Sequence, residues 1–175
     1  MSSKREIRVG LLGLGVIGSE VARTLVQRAD KLAHQVGAPV VLGGARERDP
    51  SRLKESMVSA DLLASDPNAL LEDPRIDIVV ELIGGMRPAL DFLRTAIDGG
   101  KHAVTANKDL MATHGPEIIR LAEEKEVNLL YEASVGGGIP IIGPLHKDLL
   151  ANNFNSLHAI INGTTNYILT RMFQE

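Results

Sequence analysis

Apolar residues in this chain recur in short runs, and each run is followed by a segment with helical spacing. The first run begins at Ile7 and leads through a glycine-rich turn into residues 19–29, where apolar side chains recur at helical spacing. The later runs predict strands at 40–45, 77–83, 102–105 and 128–131, and the segments between them predict helices at 88–97 and 116–125. Alternating strands and helices predict an α/β fold with a doubly wound, mostly parallel sheet and helices on both faces. Ligands of such sheets bind beyond the carboxyl ends of the strands.

The first strand is followed by the pattern G-x-G-x-x-G, formed by Gly13, Gly15 and Gly18. Gly13 would allow a tight turn, Gly15 would let the backbone approach a pyrophosphate, and Gly18 would let the next helix pack closely on the strand. The free N–H groups at the start of that helix would bind the phosphates. A glycine-rich turn can match this pattern by chance, but here strand, turn and helix follow in the required order. The segment therefore predicts a dinucleotide site.

Arg46 and Glu47 follow the second predicted strand, where one side chain normally selects between the two nicotinamide cofactors. An acidic side chain would bind a ribose 2′-hydroxyl, whereas an arginine suits a 2′-phosphate. Arg46 is the better candidate, which favours NADP, and Lys54 is a candidate second cation. The alternative is that Arg46 and Arg48 are solvated loop charges.

Two later strand ends carry weaker signals. Gly84 and Gly85 follow the third predicted strand, where they either let a cofactor lie across the sheet edge or only form the loop before the next helix. Lys108 follows the fourth predicted strand and could reach the cleft, although a lone lysine at such a point is more often a surface residue.

Composition narrows the class of partner. The chain has 175 residues, 44% hydrophobic and 23% charged, which predicts an ordinary globular domain. Its 19 basic and 22 acidic residues give a formal charge of −3 without a basic stripe, which argues against nucleic acid. Glycines interrupt the apolar start and no apolar run reaches membrane-spanning length, so neither a secretory signal nor a membrane partner is expected. The chain has no cysteine, which excludes disulfides and a thiol nucleophile within it and fits a cytoplasmic protein.

Two segments are too unusual for generic loops: residues 131–140, which read YEASVGGGIP, and residues 161–169, which read INGTTNYIL. Together with the Gly13 turn and the pair Asn107-Lys108, they make the chain resemble homoserine dehydrogenase. The resemblance implies a Rossmann-type domain of an enzyme that interconverts L-aspartate 4-semialdehyde and L-homoserine. Hydride transfer would use NADPH or NADH, on the route to threonine, methionine and isoleucine, with a small-molecule substrate.

The resemblance also implies positions for the site residues. It adds cofactor contacts at Val16, Ile17, Arg46, Gly84 and Lys108. Lys108 would also lie near the substrate, as an auxiliary group that stabilises the developing alkoxide but is not the main acid. The substrate would further contact Gly163 and Thr164.

The resemblance implies, in addition, a sodium site built from the Glu132 carboxylate and the main-chain carbonyls of Val135, Gly137 and Ile139. Hard oxygen ligands suit a hard cation, and a glycine-rich loop can turn several carbonyls inward. Without the resemblance, the same glycines indicate a flexible turn and Glu132 a charge at a strand end.

The chain ends at Glu175, inside a helix predicted to begin at Thr164 or Thr165, whereas members of the family continue. The resemblance therefore implies that the main proton donor lies beyond residue 175. We expect residues 1–150 to form the NAD(P)-binding domain, and residues 151–175, with a strand at 156–161, to begin the catalytic and dimerisation region of a homodimeric enzyme.

Two other interpretations stay open at this point. A different Rossmann oxidoreductase acting on another amino acid derivative would share the first hundred residues' pattern, but it would not be expected to carry the run NGTTN at 162–166. A non-catalytic nucleotide-binding domain is the alternative from another class. The Tyr-x-x-x-Lys pair of another dehydrogenase chemistry is absent, because Tyr131 is followed four residues later by Val135 and Tyr167 by Arg171.

Overall fold

Five parallel strands form one sheet in the order β2-β1-β3-β4-β5. The computed structural model describes residues 6–53 and 58–174, so Lys54 lies outside the described residues. The strands are β1 (Ile7–Leu12), β2 (Val40–Arg46), β3 (Ile78–Glu81), β4 (His102–Thr105) and β5 (Leu129–Leu130). The predicted parallel α/β sheet is confirmed, with strand ends within three residues of those expected from the sequence.

Helices connect the strands and cover both faces of the sheet. They are α1 (Val16–Gln27), α2 (Ala29–Val36), α3 (Asn68–Leu71), α4 (Ala89–Asp98), α5 (Lys108–Glu124) and α6 (Gly163–Gln174). Successive side chains of a strand point to opposite faces, so one strand can supply two cores. Val9 and Leu11 pack on the α1 side, whereas Leu12 packs with residues of α3 and α4 on the other. The central strands are therefore buried on both faces, as their continuous apolar runs predict.

Two helix boundaries differ from the sequence prediction. The helix predicted at 19–29 is α1, which ends at Gln27, and a second helix that was not predicted, α2, follows after Arg28 and ends at Gly37 in a left-handed conformation. The helix expected from Pro116 begins at Lys108 instead, because the Asn107 side chain accepts the Leu110 N–H at 3.2 Å and caps the helix there. Pro116 lies inside α5. Its preference for a first helical turn was therefore outweighed by the polar cap upstream.

The prediction of a strand at residues 156–161 was wrong. This segment is exposed and joins no strand of the described chain. An extended segment becomes a strand only when its N–H and C=O groups find a partner, and no described strand lies beside it. The helix after it forms as expected, with the Asn162 side chain accepting the Thr165 N–H at 2.8 Å.

A membrane-spanning helix requires both sufficient length and apolar character. Within residues 6–53 and 58–174, none of the helices has both the length and the apolar character needed to cross a bilayer.

Candidate functional site

The glycine turn after β1 is packed so closely that side chains cannot enter it. Gly13 has a φ of +97°, and a Cβ there would lie 2.9 Å from the Leu82 carbonyl oxygen. A Cβ on Gly18 would lie 2.0 Å from the Gly13 carbonyl oxygen, a distance that real Cβ atoms do not show. The start of α1 therefore lies directly against the end of β1. This contact explains Gly18, whereas Gly13 is explained by its positive φ and by the nearby Leu82 carbonyl, and both agree with the motif.

Side chains hold the turn from two sides. The Leu14 N–H donates to Glu47 Oε2 at 2.6 Å, and the Ser19 hydroxyl donates to the Leu14 carbonyl at 2.7 Å. The first helical bond of α1 runs from the Ser19 N–H to the Gly15 carbonyl at 2.9 Å. The N–H groups of the three residues between them, which include Val16 and Ile17, therefore have no helical acceptor. They are available to an anion at the positive end of the helix.

A cavity of about 330 Å³ opens beside this turn, at the carboxyl ends of β1, β2 and β3. It brings together four residues that the sequence analysis singled out, namely Gly13, Gly15, Arg46 and Gly84. It also includes Glu47, Arg48, Arg52 and Arg87. Sequence reasoning missed Arg52 and Arg87 as site residues. Their positions in the sequence could have identified them, because Arg52 follows the carboxyl end of β2 and Arg87 follows that of β3.

The arginines make the cavity cationic. The side chains of Arg52 and Arg87 remain more than half exposed although each lies near an aspartate. Arg46 donates to the main-chain carbonyl of Glu47. Arg52 lies 3.7 Å from Asp49, and its Nη1 lies 3.4 Å from the point where a Gly15 Cβ would be. Arg87 lies 3.5 Å from Asp91. A cavity with this charge fits an anionic ligand.

Glu47 is the acidic residue that could compete with Arg46 for a ribose. Its two carboxylate oxygens are already engaged, since Oε2 accepts from Leu14 and Oε1 accepts the N–H groups of Arg48 and Asp49 at 2.7 and 2.9 Å. Burial raises the pKa of Glu47, but the hydrogen bonds from Asp49, Leu14 and Arg48 outweigh it and lower the pKa overall. The Glu47 carboxylate therefore supports the glycine turn, which leaves Arg46 as the candidate for a 2′-phosphate.

The other expected contacts lie outside this cavity. Val16 and Ile17 are exposed at the start of α1, next to the glycine turn. Lys108 begins α5 and lines a separate, mainly apolar groove of about 360 Å³, together with residues such as Met111 and Tyr131. Gly163 and Thr164 begin α6 and are exposed. The described chain therefore does not bring Lys108, Gly163 and Thr164 into one pocket with the glycine turn.

Glu132 lies just after β5, and its carboxylate accepts three main-chain N–H groups. Oε1 accepts from Ile141 and Ile142 at 2.5 and 2.9 Å, and Oε2 accepts from Gly143 at 2.6 Å. The hydrogen bonds from Ile141 and Gly143 are the main reason that the pKa of Glu132 is lowered. The carboxylate therefore ties the end of β5 to the segment at 141–143.

The intervening turn carries the three carbonyls expected to bind sodium, those of Val135, Gly137 and Ile139. Gly136 and Gly137 have φ values of +70° and +62°, which turn the chain sharply. The described backbone hydrogen bonds leave these three carbonyls without an N–H donor. In the described part of the chain, no group of three or more acidic or histidine side chains is placed to hold a metal. A cation here would therefore depend on Glu132 and on main-chain oxygens.

A parallel sheet of order 2-1-3-4-5, with a glycine turn between β1 and α1 and a cationic cavity beside it, defines a Rossmann-like NAD(P)-binding domain. The family profile of the homoserine dehydrogenase NAD-binding domain matches residues 13–132, and the homoserine dehydrogenase profile matches residues 140–175. The chain belongs to the homoserine dehydrogenase family.

Individual relatives agree with this assignment. The chain is 42% identical over 171 residues to homoserine dehydrogenase of Bacillus subtilis, covering 98% of this chain and 40% of the relative. It is 42% identical over 166 residues to that of Corynebacterium glutamicum, covering 95% and 37%. The crystal structure of a homoserine dehydrogenase from Thiobacillus denitrificans matches with a TM-score of 0.84 at 42% identity, covering 98% of this chain and 39% of that one. The resemblance is confirmed, and the chain spans about two fifths of the length of these relatives.

We expect Glu132→Gln to lower the melting temperature at neutral pH and to lose this effect in acid. Because the folded-state pKa of Glu132 lies below its ordinary value of 4.5, the ionised carboxylate stabilises the fold above that value. This contribution is lost as the pH falls through the lowered pKa. Thermal melts of both proteins between pH 7 and pH 3 measure the difference.

The matched control for this pH series is Glu123→Gln, which changes an exposed glutamate on α5. Its melting temperature should follow that of the wild type. Equal melting temperatures of Glu132→Gln and wild type at pH 7, or a difference that persists unchanged in acid, would contradict the role assigned to the three N–H groups.

Proposed function

We propose that this chain supplies the cofactor-binding part of an enzyme that interconverts L-homoserine and L-aspartate 4-semialdehyde, with NADP preferred over NAD. Membership of the homoserine dehydrogenase family supports the reaction. The observation that carries the cofactor preference concerns two residues after β2. Both line the cavity, but the Glu47 carboxylate is engaged with the N–H groups of Leu14, Arg48 and Asp49, which leaves Arg46 for the ligand. When bound, the nicotinamide supplies or accepts the hydride.

In this proposal the phosphates lie against the start of α1. Gly13, Gly15 and Gly18 allow the approach, and the N–H groups of Val16 and Ile17 donate to the pyrophosphate. Arg46 binds the 2′-phosphate through its fork of N–H donors. Arg52 adds positive charge above Gly15.

The nicotinamide end of the cofactor is assigned to the loop after β3. Gly84 has a φ of +71° and a Cβ there would meet nothing within 4 Å, so the surface at this point is open to a ligand. Lys108 would contact both cofactor and substrate from the start of α5 and stabilise negative charge on the substrate oxygen. Gly163 and Thr164 are assigned to the substrate.

The proposal divides the chain at residue 150. Residues 1–150 form the NAD(P)-binding domain, and residues 151–175 begin the catalytic and dimerisation region of a homodimer. The two family profiles, which match 13–132 and 140–175, support a division into two regions, and they meet between residues 132 and 140, upstream of residue 150. The absence of cysteine from the chain favours a cytoplasmic location.

Sodium is the second ligand of the proposal, at Glu132 and the carbonyls of Val135, Gly137 and Ile139. The three carbonyls fit, because they have no described N–H donor. The carboxylate fits less fully, because three of its roughly four lone-pair sites already accept N–H groups. One site remains for a cation, so the carbonyls would supply most of the ligands.

We expect the chain to bind NADPH more tightly than NADH, and Arg46→Ala to remove this preference. A charged hydrogen bond of this kind contributes about 1.5–3 kcal/mol, or roughly ten- to a hundredfold in affinity. Titration calorimetry with both cofactors measures it. Arg23→Ala, which removes an arginine on α1 outside the cavity lining, is the matched control. Equal affinities in the wild type, or an unchanged preference in Arg46→Ala, would refute the assignment of Arg46.

Sodium should raise the melting temperature more than tetramethylammonium does at equal ionic strength. Binding to the folded state stabilises it, whereas general screening does not distinguish the two cations. Glu132→Ala should abolish the difference, because it removes both the side-chain ligand and the hydrogen bonds that support the turn, and Glu123→Ala should keep it. A salt response of the wild type that ignores the identity of the cation would favour a plain turn at residues 135–139.

The reaction itself is tested by joining residues 1–150 to the catalytic region of the Bacillus subtilis relative. We expect this protein to reduce NADP with L-homoserine, and Lys108→Ala to slow it because a charge near the developing alkoxide is lost. The 175-residue chain alone should bind NADP with little turnover, since losing a positioned acid costs about 10²–10⁴-fold. Cofactor binding without turnover in the joined protein would favour a non-catalytic nucleotide domain, and fast turnover by the 175 residues alone would make Lys108 the leading acid.

A further inference from the structure

Glu81 is a fully buried carboxylate at the carboxyl end of β3, the central strand of the sheet. In the register of the sheet it lies between Leu12 of β1 and Thr105 of β4. No ion pair among the described residues includes it. A buried carboxylate without a cation is costly unless hydrogen bonds satisfy its oxygens. Its partners therefore show what the residue does.

The three hydrogen-bond partners of Glu81 lie at the carboxyl ends of the strands: Ile83 and Gly84 in the loop after β3, and Thr105 as the last residue of β4. Oε1 accepts the N–H groups of Ile83 and Gly84 at 2.9 and 3.2 Å. Oε2 accepts the Thr105 hydroxyl at 2.6 Å. One carboxylate thus joins the loop after β3 to the end of β4.

Asn107 closes this arrangement into a ring. Its N–H donates to Thr105 Oγ1 at 3.1 Å, and its side-chain amide donates to the Gly85 carbonyl at 2.6 Å. Its side-chain oxygen caps α5 by accepting the Leu110 N–H. The ring therefore runs from Glu81 through the glycine loop to Asn107, and back through Thr105.

The loop held by the ring has little packing of its own. Gly84 and Gly85 have φ values of +71° and +72°, and a Cβ on either would meet no atom within 4 Å. The position of their backbone is therefore set by hydrogen bonds and not by neighbouring side chains. Gly84 lines the cationic cavity, and Lys108, next to the capping Asn107, lines the apolar groove.

We propose that Glu81 is a positioning residue that fixes the Gly84 loop relative to Lys108, by joining both to one buried carboxylate through Thr105 and Asn107. The inference rests on the binding of NAD(P) in the cavity beside Gly84. Glu81 itself touches neither cavity nor groove and acts only through the residues of the ring.

In these hydrogen bonds the Glu81 carboxylate accepts on both sides and donates on neither, which an amide cannot do. In Glu81→Gln, the amide nitrogen faces either the loop N–H groups or the Thr105 hydroxyl. If it faces the loop, two N–H groups lose their acceptor. If it faces Thr105, the hydroxyl hydrogen loses its acceptor. Either orientation opens one arm of the ring while the volume of the side chain stays the same.

The first measurement is cofactor affinity in the 175-residue chain, at a temperature where circular dichroism shows every variant folded. We expect about five- to tenfold weaker NADPH binding in Glu81→Gln and in Thr105→Val, which keeps the shape of threonine but lacks the hydroxyl. Thr105→Ser restores the hydroxyl and should bind within about twofold of the wild type. Ile118→Val, a buried change further along α5, lowers stability without touching the ring and should bind like the wild type.

The second measurement needs no cofactor. In ¹H–¹⁵N spectra, Thr105→Val should shift the amide resonances of Gly84 and Gly85 and those of Asn107 and Lys108 together, and Thr105→Ser should shift them much less. Shifts confined to the neighbours of residue 105, or NADPH affinities of Glu81→Gln and Thr105→Val equal to the wild type, would overturn the inference. If the wild type binds neither NADPH nor NADH, the proposed function fails, and the amide shifts still decide whether the ring exists.

Discussion

The contact between Gly18 and the Gly13 carbonyl is the constraint on which the site depends. It lets α1 begin directly at the end of β1, so that three N–H groups without helical acceptors lie at the edge of the sheet. A methyl group at Gly18 would have to displace the backbone at Gly13, because its Cβ would lie only 2.0 Å from that carbonyl oxygen. The cavity beside the turn exists because this helix start and the loops after β2 and β3 meet at one edge.

Carboxylates and arginines have different partners at the carboxyl ends of the strands. Glu47 after β2, Glu81 at the end of β3 and Glu132 after β5 each accept main-chain N–H groups and hold a loop in place. The arginines line the cavity, where an anion can reach them. Of the three carboxylates, Glu47 lines this cavity, and because its oxygens are occupied by main-chain N–H groups it competes less for the arginines.

The order of strands and helices could be predicted from the sequence because apolar periodicity is a local property. The glycine motif, Arg46 and Gly84 could be placed at one edge for a related reason, since parallel strands bring their carboxyl ends together. The unpredicted α2 and the early start of α5 show the limit of this reasoning. In the second case a polar cap at Asn107 outweighed the preference of Pro116 for a helix start.

The sequence by itself determined the fold class, the location of the glycine turn and the family, because each depends on residue identities at fixed spacing along the chain. Only the tertiary structure decided which charged side chains of the cavity support the backbone and which are left for a ligand. Glu47 and Arg46 are adjacent in sequence and differ in role because Leu14 offers an N–H to one of them. In the sequence, Glu81 is only one residue of a predicted buried strand. In the structure, strand pairing brings Thr105 and Asn107, which are distant in sequence, close to it.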